Sequence, residues 1–207
     1  AMLEGVTEYL GIEPDKVVYA SDDMDVFVRH ADELVEKGHA YVDCSPAQEM
    51  SQQRREMQEN EWRNKSTAQQ IELWQRMKNG EQGVLRLKID MKHKNAVMRD
   101  PVILRSVVAE HYRQGTTYQV WPMYDFESPI EEGLQGVTHV LRSNEFDSRI
   151  ELHNYIAALL GYQQVHYKHY GRFNVLGSSA QGRELRQGIE DGTYIGWDDP
   201  RLMTLTA

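Results

Sequence analysis

The chain has 207 residues, 40% of them hydrophobic, a formal net charge of −9 and a single cysteine. That is enough apolar material to bury a core in one large or two small domains. The longest apolar run, near Tyr155 to Leu160, is far short of the ~20 residues a membrane-spanning helix takes, and no basic-then-apolar leader opens the chain, so neither a membrane nor a secretory destination is expected. Cys44 alone can form neither an internal disulfide nor a CxxC metal site, which fits a reducing cytoplasm.

In chain order, "MDVFVRHADELVEK" (24–37) predicts a helix with Val26, Phe27, His30, Leu34 and Val35 on one face and Gly38 as its stop. "SPAQEM" offers Ser45 as an N-cap and Pro46 as a first helical residue, opening a polar helix that runs through Asn60. "STAQQIELWQRMKNG" restarts on a Ser/Thr cap and closes at Gly80, with Ile71, Trp74 and Met77 at core spacing. The period then changes. In "VLRLKID" Leu85, Leu87 and Ile89 alternate with Arg86, Lys88 and Asp90, the pattern of a half-buried strand. "VILRSVV", "TYQVW" and "GVTHVLR" predict further strands, followed by a helix from about Asp147 to Leu160 with Gly161 as its stop. "VHYKHY" reads as strand, a last strand region is placed near "YGRFNV", and "LGSSAQG" reads as a loop before a short helix in "RELRQGIEDG".

Charge is spread unevenly. Arg86 to Arg113 holds seven Lys/Arg and three acids, a local +4 on a chain whose remainder carries −13. Such a segment suits docking against one phosphate backbone, and it suits equally a solvated strand and loop surface. His166 and His169 lack a third ligand, so no metal site is expected. The four tryptophans sit in apolar patterns and read as packing residues.

"GHAYVDCSPAQEM", "LRLKIDM", "MRDPVILR", "WPMYDFESPIEEGLQGVTHVLRSNEF" and "GTYIGWDDPRLMTL" together resemble the class I glutamyl- and glutaminyl-tRNA synthetases, in that family's order and over essentially the whole chain. The resemblance implies an α/β fold: the second half of a class I synthetase Rossmann-type nucleotide-binding fold carrying an inserted acceptor-binding domain of mixed helices and antiparallel strands. Residues 1–43 would belong to the catalytic fold, 44–121 to the insertion that grips the acceptor stem of glutamate tRNA, and 122–207 to the second half of the catalytic fold. The implied activity is ATP-dependent attachment of glutamate to tRNA in the cytoplasm, with Mg2+ accompanying ATP. The chain would be a portion lacking the first half of the active site.

Arg142, at the end of "THVLR", stands where the glutaminyl branch carries a small uncharged residue. A guanidinium offers a planar fork to a γ-carboxylate, so the resemblance makes Arg142, with Tyr124 and Ser128, the glutamate-binding set. Arg99 and Arg105 become the candidate tRNA contacts, although Arg99 and Asp100 in "MRDP" would equally make an internal ion pair. In "GWDDPR", Asp198 and Asp199 read as turn and cap residues before they read as metal ligands, and Arg201 is a lesser candidate for orienting an ATP-side loop. The signature lysine loop corresponds to "SAQGREL", where Ala180, Gln181 and Gly182 replace Ser and Lys and leave Arg183 as its cation and candidate catalytic residue. That departure keeps a second reading open, a non-catalytic synthetase relative that retains tRNA or glutamate binding.

Overall fold

The computed structural model describes residues 7–8, 11–171 and 182–202. Backbone contacts divide the chain into two compact units, Val18–Tyr170 and the pair Ala1–Val17 with Gly171–Ala207. In the first, helix α1 (Met24–Glu36) turns Met24, Phe27, Ala31, Leu34 and Val35 inward at helical spacing. Val26 and His30, expected on that face, lie half-buried beside it. The helix stops where Gly38 adopts φ +72°, a left-handed conformation open to a residue without Cβ.

Strand β1 (Ala40–Asp43) follows at once and pairs antiparallel with β2 (Val84–Leu87), β2 with β3 (Val102–Ser106), and β3 with β4 (Val120–Pro122). Helices α2 (Ala47–Glu56) and α3 (Thr67–Lys78) fill the connection between β1 and β2. The α2 cap falls on Pro46 rather than Ser45, whose N–H is already donated to Asp43 Oδ1 at 2.9 Å, and the helix ends early at left-handed Met57. Ser66 caps α3 in a reciprocal capping box with Gln69. Trp74 and Met77 are buried as expected, but Ile71 is 36% exposed and Gln70 goes inside in its place. The reason is polar: the Gln70 amide accepts the Val42 N–H at 2.8 Å and donates to the Trp62 carbonyl, covering the open side of β1. Trp62 and Trp121 are half-buried, whereas Trp197 is 47% exposed, against the packing expectation.

Arg86 corrects the strand reading more sharply. Leu85 and Leu87 face the core, but Arg86 is only 1% exposed. Its Nη1 meets Asp43 Oδ2 at 2.7 Å and its Nε donates to the Asp100 carbonyl at 2.8 Å. Asp100 does not pair with its neighbour Arg99. Its carboxylate takes Arg63 Nε at 2.7 Å, the Tyr41 hydroxyl at 3.2 Å and the Ile89 N–H at 2.8 Å. These bonds hold Asp100 at φ +41°, a conformation uncommon for a residue with a side chain. Burial pushes the Asp43 carboxyl up, yet the Ser45 N–H, Arg86 and the Asn60 amide pull it below the ordinary carboxylate range.

Helix α4 (Tyr124–Leu134) was hidden in the sequence by Pro129 and Gly133. Pro129 is the sixth of the helix's eleven residues, where it forgoes the bond to the Asp125 carbonyl and crowds it. Gly133 is required by contact: a Cβ there would lie 2.4 Å from the Tyr162 ring, close to that ring's own attachment point. Gly133→Ala is therefore expected to lower stability by about 1–3 kcal/mol, as overpacking does, measured by urea unfolding. Strand β5 (His139–Ser143), a 3-10 turn over Asn144–Arg149, helix α5 (Ile150–Leu160) and strand β6 (His166–Tyr170) complete this unit. β5 and β6 are parallel, with α5 as the crossover that parallel pairing demands. On β6, His166 and His169 point to opposite faces, as an odd spacing in a strand dictates. No group of three His, Cys, Asp or Glu able to hold a metal occurs among the described residues, and none of their helices is long and apolar enough to cross a membrane.

The second unit contains helix α6 (Gly182–Glu190) and the turn after it. Asp199 organises that turn by accepting the N–H groups of Ile195 and Arg201 and the Arg201 guanidinium, and Arg201 also donates to the Thr193 carbonyl. Most of "YGRFNV" and of "LGSSAQG", including Ala180 and Gln181, lies outside the described residues.

Candidate functional site

Strand β5 inverts the usual economy of a strand: Leu141 is 72% exposed and Arg142, beside it, 7%. Register explains how the arginine is received. Arg142 lies opposite His169 in the parallel ladder, and its Nε donates to His169 Nε2 at 3.2 Å. Its Nη1 lies 3.2 Å from the Tyr124 hydroxyl at the start of α4 and 3.3 Å from Nδ1 of fully buried His153 on α5. Aromatic rings flank the guanidinium, with Tyr167 centred 4.5 Å and Phe146 5.3 Å from it.

An arginine only donates, so each imidazole nitrogen facing Arg142 accepts, and each ring carries its hydrogen on the other nitrogen. Those nitrogens meet carboxylates: His153 Nε2 faces Asp125 at 3.1 Å, and His169 Nδ1 faces Asp147. Asp125 is held in turn by Arg149. Burial pushes the Asp125 carboxyl up, but His153 and Arg149 bring it below the ordinary range. The two histidines thus orient the guanidinium while keeping the acids one ring away from it.

Arg142 itself has no carboxylate partner among the described residues, and its Nη2 is buried with no hydrogen bond at all. The Tyr124 hydroxyl accepts from Arg142, so its own hydrogen is left to donate. Nη2 and the Tyr124 O–H are the two donors left without an acceptor among the described residues, and make up the Arg142 clamp.

Ser128 is not part of that clamp. Its hydroxyl donates to Glu132 at 2.8 Å, and Glu132 also accepts from the Tyr167 hydroxyl at 2.9 Å, so Ser128 reaches Arg142 only through Glu132 and the Tyr167 ring. Ser128 and Tyr124 instead line a hollow of about 300 Å³ with Glu127, Glu131 and Glu132. An anionic ligand entering there meets three carboxylates. Burial, with Asp23 and Glu127 adding to it, raises the Glu131 carboxyl to about 7. A raised folded value means stability that is full below the ordinary 4.5 and lost as pH rises through about 7. Glu131→Gln is accordingly expected to melt with wild type near pH 4 and above it at about pH 8; equal melting temperatures at the higher pH would contradict the assignment.

The remaining candidates lie elsewhere. Half-buried Arg99 is spent on main chain, its Nε donating to the His93 carbonyl at 2.8 Å and its Nη1 to that of Arg54 at 3.2 Å. Arg105 is exposed on β3, with no hydrogen bond or ion pair among the described residues. Arg183 is exposed near the start of α6, in the other unit. The sequence reading missed His153, Tyr167 and Asp125 around Arg142, and weighed His169 only as a metal ligand. The β5/β6 register places His169, and a strand pairing is not written in either segment.

The family model described as tRNA synthetases class I (E and Q), catalytic domain, matches residues 1–207. The glutamate–tRNA ligase of Pyrococcus furiosus is 38% identical over 205 residues, 97% of this chain and 36% of that protein. The bifunctional glutamate/proline–tRNA ligase of Mus musculus is 37% identical over 200 residues, 95% of this chain and 13% of that protein. This chain therefore spans little more than a third of the length of the archaeal relative. Among solved structures, a glutamate tRNA ligase from Elizabethkingia meningosepticum, in complex with its amino acid, superposes with a TM-score of 0.60 at 17% identity, covering 92% of this chain and 42% of that one. At that identity the likeness shows the fold. By the match along its whole length, the chain belongs to the class I tRNA synthetases (E and Q), within their catalytic domain.

Proposed function

We propose that the chain is a portion of a cytoplasmic glutamate–tRNA ligase in which Arg142 reads the side-chain carboxylate of glutamate. One observation carries this reading: a buried guanidinium, oriented by two histidines and a tyrosine, that lacks a counter-ion and keeps one nitrogen free. Glutamate supplies the missing anion, one oxygen on Nη2 and the other on the Tyr124 O–H. Glutamine would present a neutral amide whose NH2 end faces donors, leaving buried groups unpaired. Discrimination of that kind reaches roughly 10⁴-fold in favourable sites. Calorimetric titration of this chain with both amino acids tests it: heat of binding is expected with glutamate and not with glutamine, and equal binding of the two would overturn the assignment.

In the same reading, residues 44–121 form the insertion that receives the acceptor stem of tRNA; the four-stranded antiparallel sheet with α2 and α3 favours one unit there, but its edge strands β1 (Ala40–Asp43) and β4 (Val120–Pro122) favour limits nearer 40 and 122. Arg105, exposed and unneutralised, is its better candidate phosphate contact, since Arg99 is already occupied. Arg105→Ala is expected to weaken tRNA binding and to flatten its log–log salt dependence by about one. An unchanged slope would remove Arg105 from the interface. ATP and its Mg2+ belong to the reaction, which forms a glutamyl adenylate and then passes the acyl group to the terminal ribose, largely by alignment and by stabilising charge at the α-phosphate. The described residues offer no ligand cluster for Mg2+, so it would arrive on the ATP phosphates. Arg183 is the cation proposed to face them. That the segment "SAQGREL" carries Arg183 without the usual lysine favours, as second reading, a relative that binds without adenylating.

A further inference from the structure

A second unneutralised cluster of arginines lines a hollow of about 320 Å³ between α2 and the sheet. Arg54 and Arg55 come from α2, Arg86 from β2, and Arg99 from the turn before β3. No acid is among the lining residues, and the Ser51 hydroxyl and the Met50 side chain complete the wall. Arg86 is neutralised by Asp43. The other three are not. Arg54 and Arg99 are pinned by neutral carbonyls, Arg54 Nη2 on Ala96 at 2.9 Å and Arg99 on His93 and Arg54. Arg55 is exposed with no hydrogen bond or ion pair among the described residues. Arg54 Nε is buried with no partner. Burial first, and then Arg86, Arg99 and Arg149 close by, lower the Arg54 guanidinium from its ordinary value, with the Asp100 carboxylate offsetting part of the crowding.

Crowded guanidinium groups held in place by main-chain carbonyls are expensive unless an anion is bound between them. We propose that this hollow is a phosphate-binding site, in which Arg54 Nε, Arg55 and the Ser51 hydroxyl donate to the phosphoryl oxygens while Arg99 supplies fixed positive potential. Guanidinium forks match tetrahedral oxyanions in charge and spacing, and the Met50 and Val102 walls suit the carbon-bearing side of a phosphate ester. The site shares no lining residue with the Arg142 clamp. Its phosphate comes either from a phosphodiester chain, which rests on the tRNA-handling reading above, or from a free phosphate, which does not.

The test is titration of the whole chain, at constant ionic strength, with inorganic phosphate, pyrophosphate and a 12-nucleotide single-stranded RNA, using wild type, Arg54→Ala, Arg55→Ala and, as a surface-charge control, Arg29→Ala, an exposed arginine on α1 outside the hollow's lining. Arg54→Ala also loses the bond to Ala96, so Arg55→Ala carries the decision. The expected result is binding that weakens roughly fivefold or more in Arg55→Ala and stays within about twofold in Arg29→Ala. If RNA responds and the inorganic anions do not compete, the source is the phosphodiester chain, and the salt slope falls by about 0.7 per lost contact. If phosphate or pyrophosphate binds and responds by itself, the source is free phosphate. No binding of any of the three, or equal losses in Arg55→Ala and Arg29→Ala, would overturn the site. Glutamate binding in Arg55→Ala is expected at the wild-type level, so failure here is separable from failure of the Arg142 assignment.

Discussion

Arg142→Ala is expected to bind glutamate on the order of 100- to 1,000-fold more weakly than wild type, because the charge-assisted Nη2 donor and the positive charge that pairs the carboxylate both disappear from a desolvated site, leaving only the neutral Tyr124 O–H. The fold is expected to survive. Arg142 is a buried charge without a counter-ion, so its removal relieves one desolvation cost while leaving acceptors on His153, His169 and Tyr124 that water can reach through the emptied space. Arg142→Lys separates charge from shape. It keeps a cation but loses the planar fork and the stacking between Tyr167 and Phe146, so roughly tenfold weakening is expected, well short of the alanine variant. Calorimetry reads both losses and circular dichroism reads the fold. An alanine variant that binds glutamate as wild type does would end the proposed role of Arg142.

The second large effect lies in the core. Arg86→Met leaves the Asp43 carboxylate buried with the Ser45 N–H and the Asn60 amide but without its cation, and about 3–5 kcal/mol of stability should be lost in urea unfolding. Asp43→Leu combined with Arg86→Met should recover a large part of that loss, since an apolar pair of similar volume removes the stranded charge. pH gives an independent check. The folded Asp43 value is depressed, so its contribution is present above the ordinary 3.8 and is lost as pH falls through the lower folded value. Wild type should therefore lose stability below about pH 4 more steeply than the double variant, in which the carboxyl is gone. Matching acid limbs would show that Asp43 does not carry this linkage.

These two arginines also show where sequence reading succeeds and where it stops. Both follow apolar strand residues, and in both the alternation alone would send the charge to solvent. For Arg142 the neighbouring motifs pointed to a candidate site, and the structure adds what holds the guanidinium: His169 across a parallel ladder and His153 from a crossover helix, contacts between residues 27 and 11 positions apart. For Arg86 nothing local marked the partner, because Asp43 lies 43 residues away in β1 and the acceptor for Nε is a main-chain carbonyl. The helices with strong caps were legible, α3 from Ser66 and α5 from Gly161. Helix α4 was not, since Pro129 and Gly133 are poor helix formers that tertiary contact with Tyr162 and the core overrides. Gln70 taking the place of Ile71 follows the same logic, in which an unpaired strand N–H outweighs the burial of one aliphatic side chain.

The central claim is that the orphaned end of the Arg142 guanidinium receives the glutamate side chain. Its most direct test is to follow the guanidinium nitrogen resonances of Arg142 by NMR, assigned by their loss in Arg142→Lys, while this chain is titrated with glutamate and then with glutamine. The account predicts that the Arg142 signals move and sharpen with glutamate and stay in place with glutamine. Arg142 resonances that remain fixed at saturating glutamate would contradict it.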